Sequence, residues 1–328
     1  MRVWKFKGIY LKQGWLSPAY VTTDESGKIT NISDQHSAVV NEEINGFAIA
    51  PVTNAHSHAF QYGMAGLTEN IPQGQGHDNF WSWRDRMYRL ADQITPDQME
   101  SIAKMLYAEM LRVGYNHVVE FHYLRNDEKG NNYSNPNEMA DRLISAALKV
   151  GIKITLVPVY YRCSDFGKDP SEAQRRFQFS STDSYFKHIE SLSSTYASNS
   201  EVTIGYGLHS MRAATAQEIK EIISYNTELP CHLHISEQMR EVDACVKYLG
   251  ARPVEWLTNE TEVGSNCHLV HSTHITDDEM NAIIRADANV VICPSTEGNL
   301  GDGFFPIADY IKASGRWCIG SDSHITLN

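Results

Sequence analysis

No stretch of the 328-residue chain approaches the ~18 consecutive apolar residues of a membrane-spanning helix, and the opening MRVWKFKGIYLKQGW interrupts its apolar residues too often for a secretory leader. The expected compartment is the cytoplasm. Basic charge is scarce too: 28 Lys and Arg stand against 40 Asp and Glu, and a net charge of −12 repels nucleic acid and anionic membrane alike. An anionic substrate would need local arginines. The six cysteines, at 163, 231, 245, 267, 293 and 318, show no C-x-x-C spacing, and four lie inside apolar runs as small core residues do, so they read as reduced thiols. No G-x-G-x-x-G follows the first strand of the main domain, which argues against a doubly wound dinucleotide-binding sheet. Internal repeats, low-complexity tracts and interdomain linkers are absent from the sequence.

What is there is enough apolar material, 42%, for a sizeable core. Residues 1 to about 47 alternate short β-like pieces with turn signals such as Asp24-Glu-Ser-Gly27, predicting a small antiparallel sheet. From the apolar run FAIAPV onward, read as a buried strand leading into TNAHSH, strand candidates recur: HVVEFHY, KITLVPVYY, VTIGYGLHS, PCHLHISE, NCHLVHST, ANVVICPST and WCIGSDSH. That makes eight. Helical segments separate them, several opened by capping boxes (Thr95 to Gln98, Thr215 to Glu218, Thr276 to Glu279), with Gly114, Gly151 and Gly250 as stops. Eight alternations with near-continuous apolar strands predict an α/β fold, a parallel (β/α)₈ TIM-like barrel.

The stretch Asn54-Ala-His-Ser-His-Ala-Phe-Gln61 ends the first of these strands with two histidines two residues apart, hence on one side of an extended chain. Such a pair either pinches a metal ion or is merely hydrogen-bonded. In a barrel of this kind chemistry gathers at the C-terminal strand ends. Histidines mark six of those ends: His56 and His58, His122, His209, His232 and His234, His271 and His274, and His324, with Asp322 beside the last.

The order H-x-H on the first strand, H-x-x-E from His234 to Glu237 on the fifth, His271 on the sixth and Asp322 on the eighth resembles the amidohydrolase superfamily. The segments NAHSHAFQYGMAGLTE, FWSWRDRMYRLA, AEMLRVGY, EFHYL, GLHSMRA, HLHISEQMREVDAC, RPVEWL, LVHSTHIT, STEGNLGDGFFP and GSDSH match its branch that acts on N-formimino-L-glutamate in histidine degradation. The resemblance implies the hydrolysis of that substrate to N-formyl-L-glutamate and ammonia, and a homodimer. Three neutral imidazoles, His56, His58 and His234, with the carboxylate Asp322 make a site of net charge −1 that suits Zn²⁺, with Fe²⁺ or another divalent ion as alternatives. Binuclear members bridge their metals through a lysine on the fourth strand; VTIGYGLHS offers none, so one metal is expected.

Glu237, three residues after a ligand, is the expected general acid/base, with His271 and Asp322 completing the catalytic set. Its alternative is a solvated rim carboxylate. Arg212 and Arg84 are the candidates for gripping substrate carboxylates, joined through the resemblance by Gln61, Tyr123 and His209; Arg84 alone reads equally well as a helix-surface charge. The segment Glu297-Gly-Asn-Leu-Gly-Asp-Gly303, acidic and without Lys, reads as a shaped loop rather than a phosphate cradle. Competing readings are an aminohydrolase acting on a guanine or triazine ring, which needs aromatic walls rather than two arginines, and an inactive relative.

The expected domains are residues 1–47, part of a small β-sandwich, and residues 48–328, the barrel. Only Ile325-Thr-Leu-Asn328 follows the eighth strand, so the barrel is expected to lack its last helix and the chain to be a fragment, short of on the order of 100 residues.

Overall fold

The computed structural model describes residues 1–36, 38–67 and 80–324, in two compact units, Met1–Val52 and Thr53–Asn328. Residues 325–328, on which the expectation of a missing last helix turns, lie outside the described residues, as do residues 68 and 69 of the first motif.

The first unit carries strands β1 (Arg2–Leu11), β2 (Gly14–Leu16), β3 (Ala19–Thr23), β4 (Ile29–Ser33) and β5 (Glu42–Ala48). β1 pairs antiparallel with β2 and β3, and β3 with β4, but β5 lies parallel to β1. The sheet is therefore mixed, because the chain passes from β4 at one end of the sheet back to β1 instead of turning to pair with β4. Nor is FAIAPV one buried strand: Phe47 and Ala48 close β5, and Phe47 and Ile49 are 66% and 68% exposed. Pro51, with no N–H to give a ladder, separates this run from the next strand, which starts at Val52.

The second unit is built on β6 (Val52–Ser57), β7 (Tyr115–His122), β8 (Lys153–Tyr160), β9 (Val202–Ile204), β10 (Tyr206–Ser210), β11 (Cys231–Ile235), β12 (Cys267–His271), β13 (Asn289–Ile292) and β14 (Arg316–Ile319). Gly205 splits the fourth barrel strand into β9 and β10, and the order β6-β7-β8-β10-β11-β12-β13-β14 follows the sequence. The last strand returns to the first: His58 N donates to Asp322 O (3.1 Å) and Asp322 N to His56 O (2.9 Å). The Asn54 side chain clamps the same seam, donating to Ser321 Oγ (2.7 Å) and accepting from Ser321 N (2.9 Å). Gly320 makes this closure sterically feasible, since a Cβ there would lie 2.6 Å from that of His56.

Outside the strands run α1 (Phe80–Ala91), α2 (Pro96–Arg112), α3 (Glu138–Val150), α4 (Thr182–Tyr196), α5 (Ala216–Ile223), α6 (Met239–Leu249), α7 (Pro253–Glu260), α8 (Asp277–Arg285), α9 (Pro294–Leu300) and α10 (Ile307–Lys312). The three predicted capping boxes are all formed, on Thr95, Thr215 and Thr276, each worth about 1 kcal/mol to its helix. Gly151 (φ 88°) and Gly250 (φ 80°) end α3 and α6 in the left-handed region. One expectation fails locally: ANVVICPST is a four-residue strand followed by α9, which takes Pro294 at its first turn and carries Glu297 to Leu300 of the presumed loop in helix. No helix among the described residues is long and apolar enough to cross a membrane.

Candidate active site

Alternation along β6 points His56 inward and sets His58 just past the strand end on the same side, where β11 brings His234 and the barrel seam brings Asp322. His56 Nε2 lies 3.1 Å from His58 Nε2 and 3.0 Å from His234 Nε2, while Asp322 Oδ1 lies 3.4 and 3.2 Å from the Nε2 atoms of His56 and His58. A tetrahedral ion with bonds of about 2.0–2.1 Å holds its ligand atoms about 3.3–3.4 Å apart. The four measured separations, 3.0 to 3.4 Å, lie close to that spacing.

Hydrogen bonds on the far side of two rings fix which nitrogen faces inward. His58 Nδ1 meets Phe121 O at 3.0 Å and His234 Nδ1 meets His209 O at 2.9 Å, so each Nδ1 carries the proton and each Nε2 offers a lone pair. Lone pairs converging at 3 Å in a buried site repel one another unless a cation lies between them, so the donor set fits a divalent metal. Protonation states agree. Burial pushes His56 down to about 4 and His234 well below the usual imidazole value. Asp322, which burial alone would raise, is held well below the carboxylate range by the His56 and His58 rings against it. The His56 and His234 imidazoles are therefore neutral and the carboxylate charged at neutral pH, as ligands must be.

Beside this cluster His271, at the end of β12, sits between two carboxylates, its Nδ1 3.2 Å from Glu297 Oε1 and its Nε2 3.7 Å from Glu237 Oε1. Burial disfavours its charged form, but Glu237, Glu297 and Asp322 outweigh burial and raise it to about 10. Glu237 is raised, by burial first, against the opposing pull of His271 and Arg212. Ser236, His271, Ser272 and Asp322 all have positive φ, between 51° and 70°, so the backbone is held in a costly conformation at the ends of β11, β12 and β14.

These groups open into a pocket of about 470 Å³ whose lining includes every expected site residue except His56, which lies fully buried beneath it. Gln61 Nε2 donates to Tyr123 Oη (3.0 Å), and Tyr123, raised well above 10 by burial, keeps its proton. His209 is neutral, lowered by burial and then by Arg212. Arg212 is 8% exposed, and among the described residues its guanidinium makes no hydrogen bond or ion pair. Arg176, equally buried, shows what a structural arginine looks like here: it donates to the carbonyls of Ala91, Ile94 and Asn126 and to the Tyr133 hydroxyl. Arg84 lies with its guanidinium carbon 5.6 Å from the Tyr88 ring centre and lines the same pocket.

Not all the strand-end histidines converge. His122 falls out of phase: on β7 the inward positions are Phe121 and Tyr123, so His122 faces outward, toward His188 and Arg125. His232 is one layer below His234 and stacks on His268 at 4.2 Å, while His324 stacks near Trp83 and His274 does not line the pocket. Sequence reasoning missed four contributors. Glu297 accepts from Cys293 N (2.8 Å) while holding His271, Glu241 accepts from Glu237 N (3.2 Å), and Tyr88 and Trp83 wall the pocket. The i to i+4 spacing of Glu237 and Glu241 was the one available signal for the second.

The family model of the amidohydrolases matches residues 47–328, and the chain belongs to the amidohydrolase family. More specifically, it is a homologue of formimidoylglutamate deiminase: the enzyme of that name from Pseudomonas aeruginosa is 40% identical over 320 residues, covering 97% of this chain and 70% of its own length. An amidohydrolase from Brucella melitensis shares the fold at a TM-score of 0.90 and 37% identity, covering all of this chain and 72% of that one. A guanine deaminase from C. acetobutylicum, 18% identical over 99% of this chain and 75% of its own, has a TM-score of 0.78 and bears on the fold alone.

Proposed function

We propose that the chain hydrolyses N-formimino-L-glutamate to N-formyl-L-glutamate and ammonia at a single divalent metal, zinc by the nitrogen-rich character of its donors. The observation that carries the substrate is Arg212, a buried cation without a hydrogen bond or ion pair among the described residues, lining the pocket that His58, His234 and Asp322 floor. Glu241 and Glu237 keep it charged from a distance, while its guanidinium donors are left to a carboxylate of the substrate.

His56, His58, His234 and Asp322 would hold the metal, whose part when bound is to acidify a water and polarise the formimino carbon. Glu237 takes the proton released by the attacking water and passes it to the departing nitrogen; burial, by raising its affinity for a proton, suits it to both transfers. His271, kept upright by Glu297, donates a hydrogen bond to the oxygen entering the formimino carbon. Tyr123, anchored by Gln61, and neutral His209 orient the formimino nitrogens, and Arg84 meets the second carboxylate at the pocket mouth. The carbon–nitrogen double bond is replaced by a carbonyl, and the nitrogen leaves as ammonia.

Ammonia release measured side by side on N-formimino-L-glutamate and on guanine tests the reading. Turnover of the first and none of the second is expected; the reverse would transfer the site to ring aminohydrolases.

A further inference from the structure

We propose that this chain carries a second ligand site, outside the reaction pocket, for a phosphate-class dianion. It lies in a cleft of about 1200 Å³ between the amino-terminal end of α3 and one face of α4, lined by Arg125 and Lys187 and, among the described residues, by no Asp or Glu. In a chain of net charge −12 such a surface runs against the average.

Three features build the site. Arg125 is mostly buried, its guanidinium lying 3.9 Å from the Phe179 ring centre, and its partners are all neutral: Asn126 Oδ1 (2.8 Å), Gln178 O (3.0 Å) and Asn132 Oδ1 (2.9 Å). Its charge is left without a counter-charge. Asn137, the N-cap of α3, turns its amide onto Ser191 Oγ (2.9 Å) instead of capping its own helix, and so joins the first turn of α3 to α4. The cleft is thus lined by the amino-terminal end of α3 and by Ser184, Lys187, His188 and Ser191 along one face of α4.

The third feature is His188. It is 6% exposed, lines the cleft and has no hydrogen-bond partner on either ring nitrogen; Nδ1 is sealed from solvent, which leaves Nε2 to face the cavity. A buried imidazole without partners among the described residues is costly unless something else completes its hydrogen bonds. The acidic residues nearby are engaged elsewhere: Asp183 pairs with Lys187 (2.8 Å), Glu138 with Arg142 (2.9 Å), and Asp141 accepts from Asn135 (2.9 Å) and Tyr196 (2.8 Å). An oxyanion in the cleft would pair with the Arg125 charge, accept a hydrogen bond from His188 Nε2–H, and draw Lys187 from its exposed pair.

Calorimetric titration of the protein with inorganic phosphate tests this, using the wild type, Arg125→Met, His188→Phe and, as a control in the reaction pocket, Arg212→Met. The wild type and Arg212→Met should share a saturable phosphate site that Arg125→Met and His188→Phe weaken by about tenfold or more. Should Arg125→Met fail to fold, His188→Phe, which keeps a ring against Phe179, decides. Absence of phosphate binding by the wild type, its loss in Arg212→Met, or wild-type binding by His188→Phe would each overturn the proposal.

Discussion

Replacing Arg212 with Met separates recognition from stability. The guanidinium is 8% exposed, beside the pocket and without a hydrogen bond or ion pair among the described residues, so no protein contact is broken when it goes. A fork to a substrate carboxylate makes two charge-assisted hydrogen bonds at about 1.5–3 kcal/mol each, which predicts a fall in kcat/KM of about 10²–10⁴. The neighbouring acids oppose any gain in stability only weakly. Glu241, pushed up to about 7 by burial against the pull of Arg212, answers the loss of that charge by taking a proton rather than standing as a naked anion. The unliganded variant should therefore melt no lower than the wild type. Steady-state kinetics on N-formimino-L-glutamate and on N-butylformamidine, which has no carboxylate, read the first effect, and thermal unfolding reads the second. Equal losses on both substrates, or a marked drop in melting temperature, would refute the reasoning.

Glu237→Gln should keep its metal by elemental analysis yet lose at least about 10² in kcat, because the amide preserves shape and removes the proton carrier; near-normal turnover would move that role to another group. Glu297→Gln should lower kcat about tenfold with little change in KM, since it weakens the hold on His271 Nδ1 without touching the pocket wall; an effect on KM alone would count against it. His188 is held at about 3 by burial and by Arg125 and is neutral in the native protein, whereas the unfolded chain protonates it below about 6.5. The native state thus binds fewer protons in that window, and stability is lost as pH falls. The wild type should weaken relative to His188→Phe by about 1.4 kcal/mol per pH unit between about pH 6 and about pH 4, read by urea denaturation in phosphate-free buffer; parallel curves would contradict the assignment.

The barrel and the convergence of His56, His58, His234 and Asp322 were legible because each rests on a local pattern: near-continuous apolar runs, threonine capping boxes, and polar residues placed at strand ends by the H-x-H, H-x-x-E and S-D-S-H spacings. Phase was harder. Whether His122 or Tyr123 faces inward depends on which residues of β7 meet the barrel axis, and a run apolar on both faces does not say. The Glu297 bond to His271 joins residues 26 apart across two strand ends, and the sequence around Glu297 reads as glycine-rich loop until α9 is seen to start at Pro294. FAIAPV misled because its apolar content outweighed one proline, which divides it between two strands.

Reaction in ¹⁸O-labelled water, with products resolved by mass spectrometry, tests the central claim most directly. Attack on the formimino carbon with loss of its terminal nitrogen predicts ¹⁸O in the formyl group of N-formyl-L-glutamate and one ammonia per turnover. Formamide and glutamate, from cleavage of the other carbon–nitrogen bond, or no product from protein carrying one metal per chain, would contradict it.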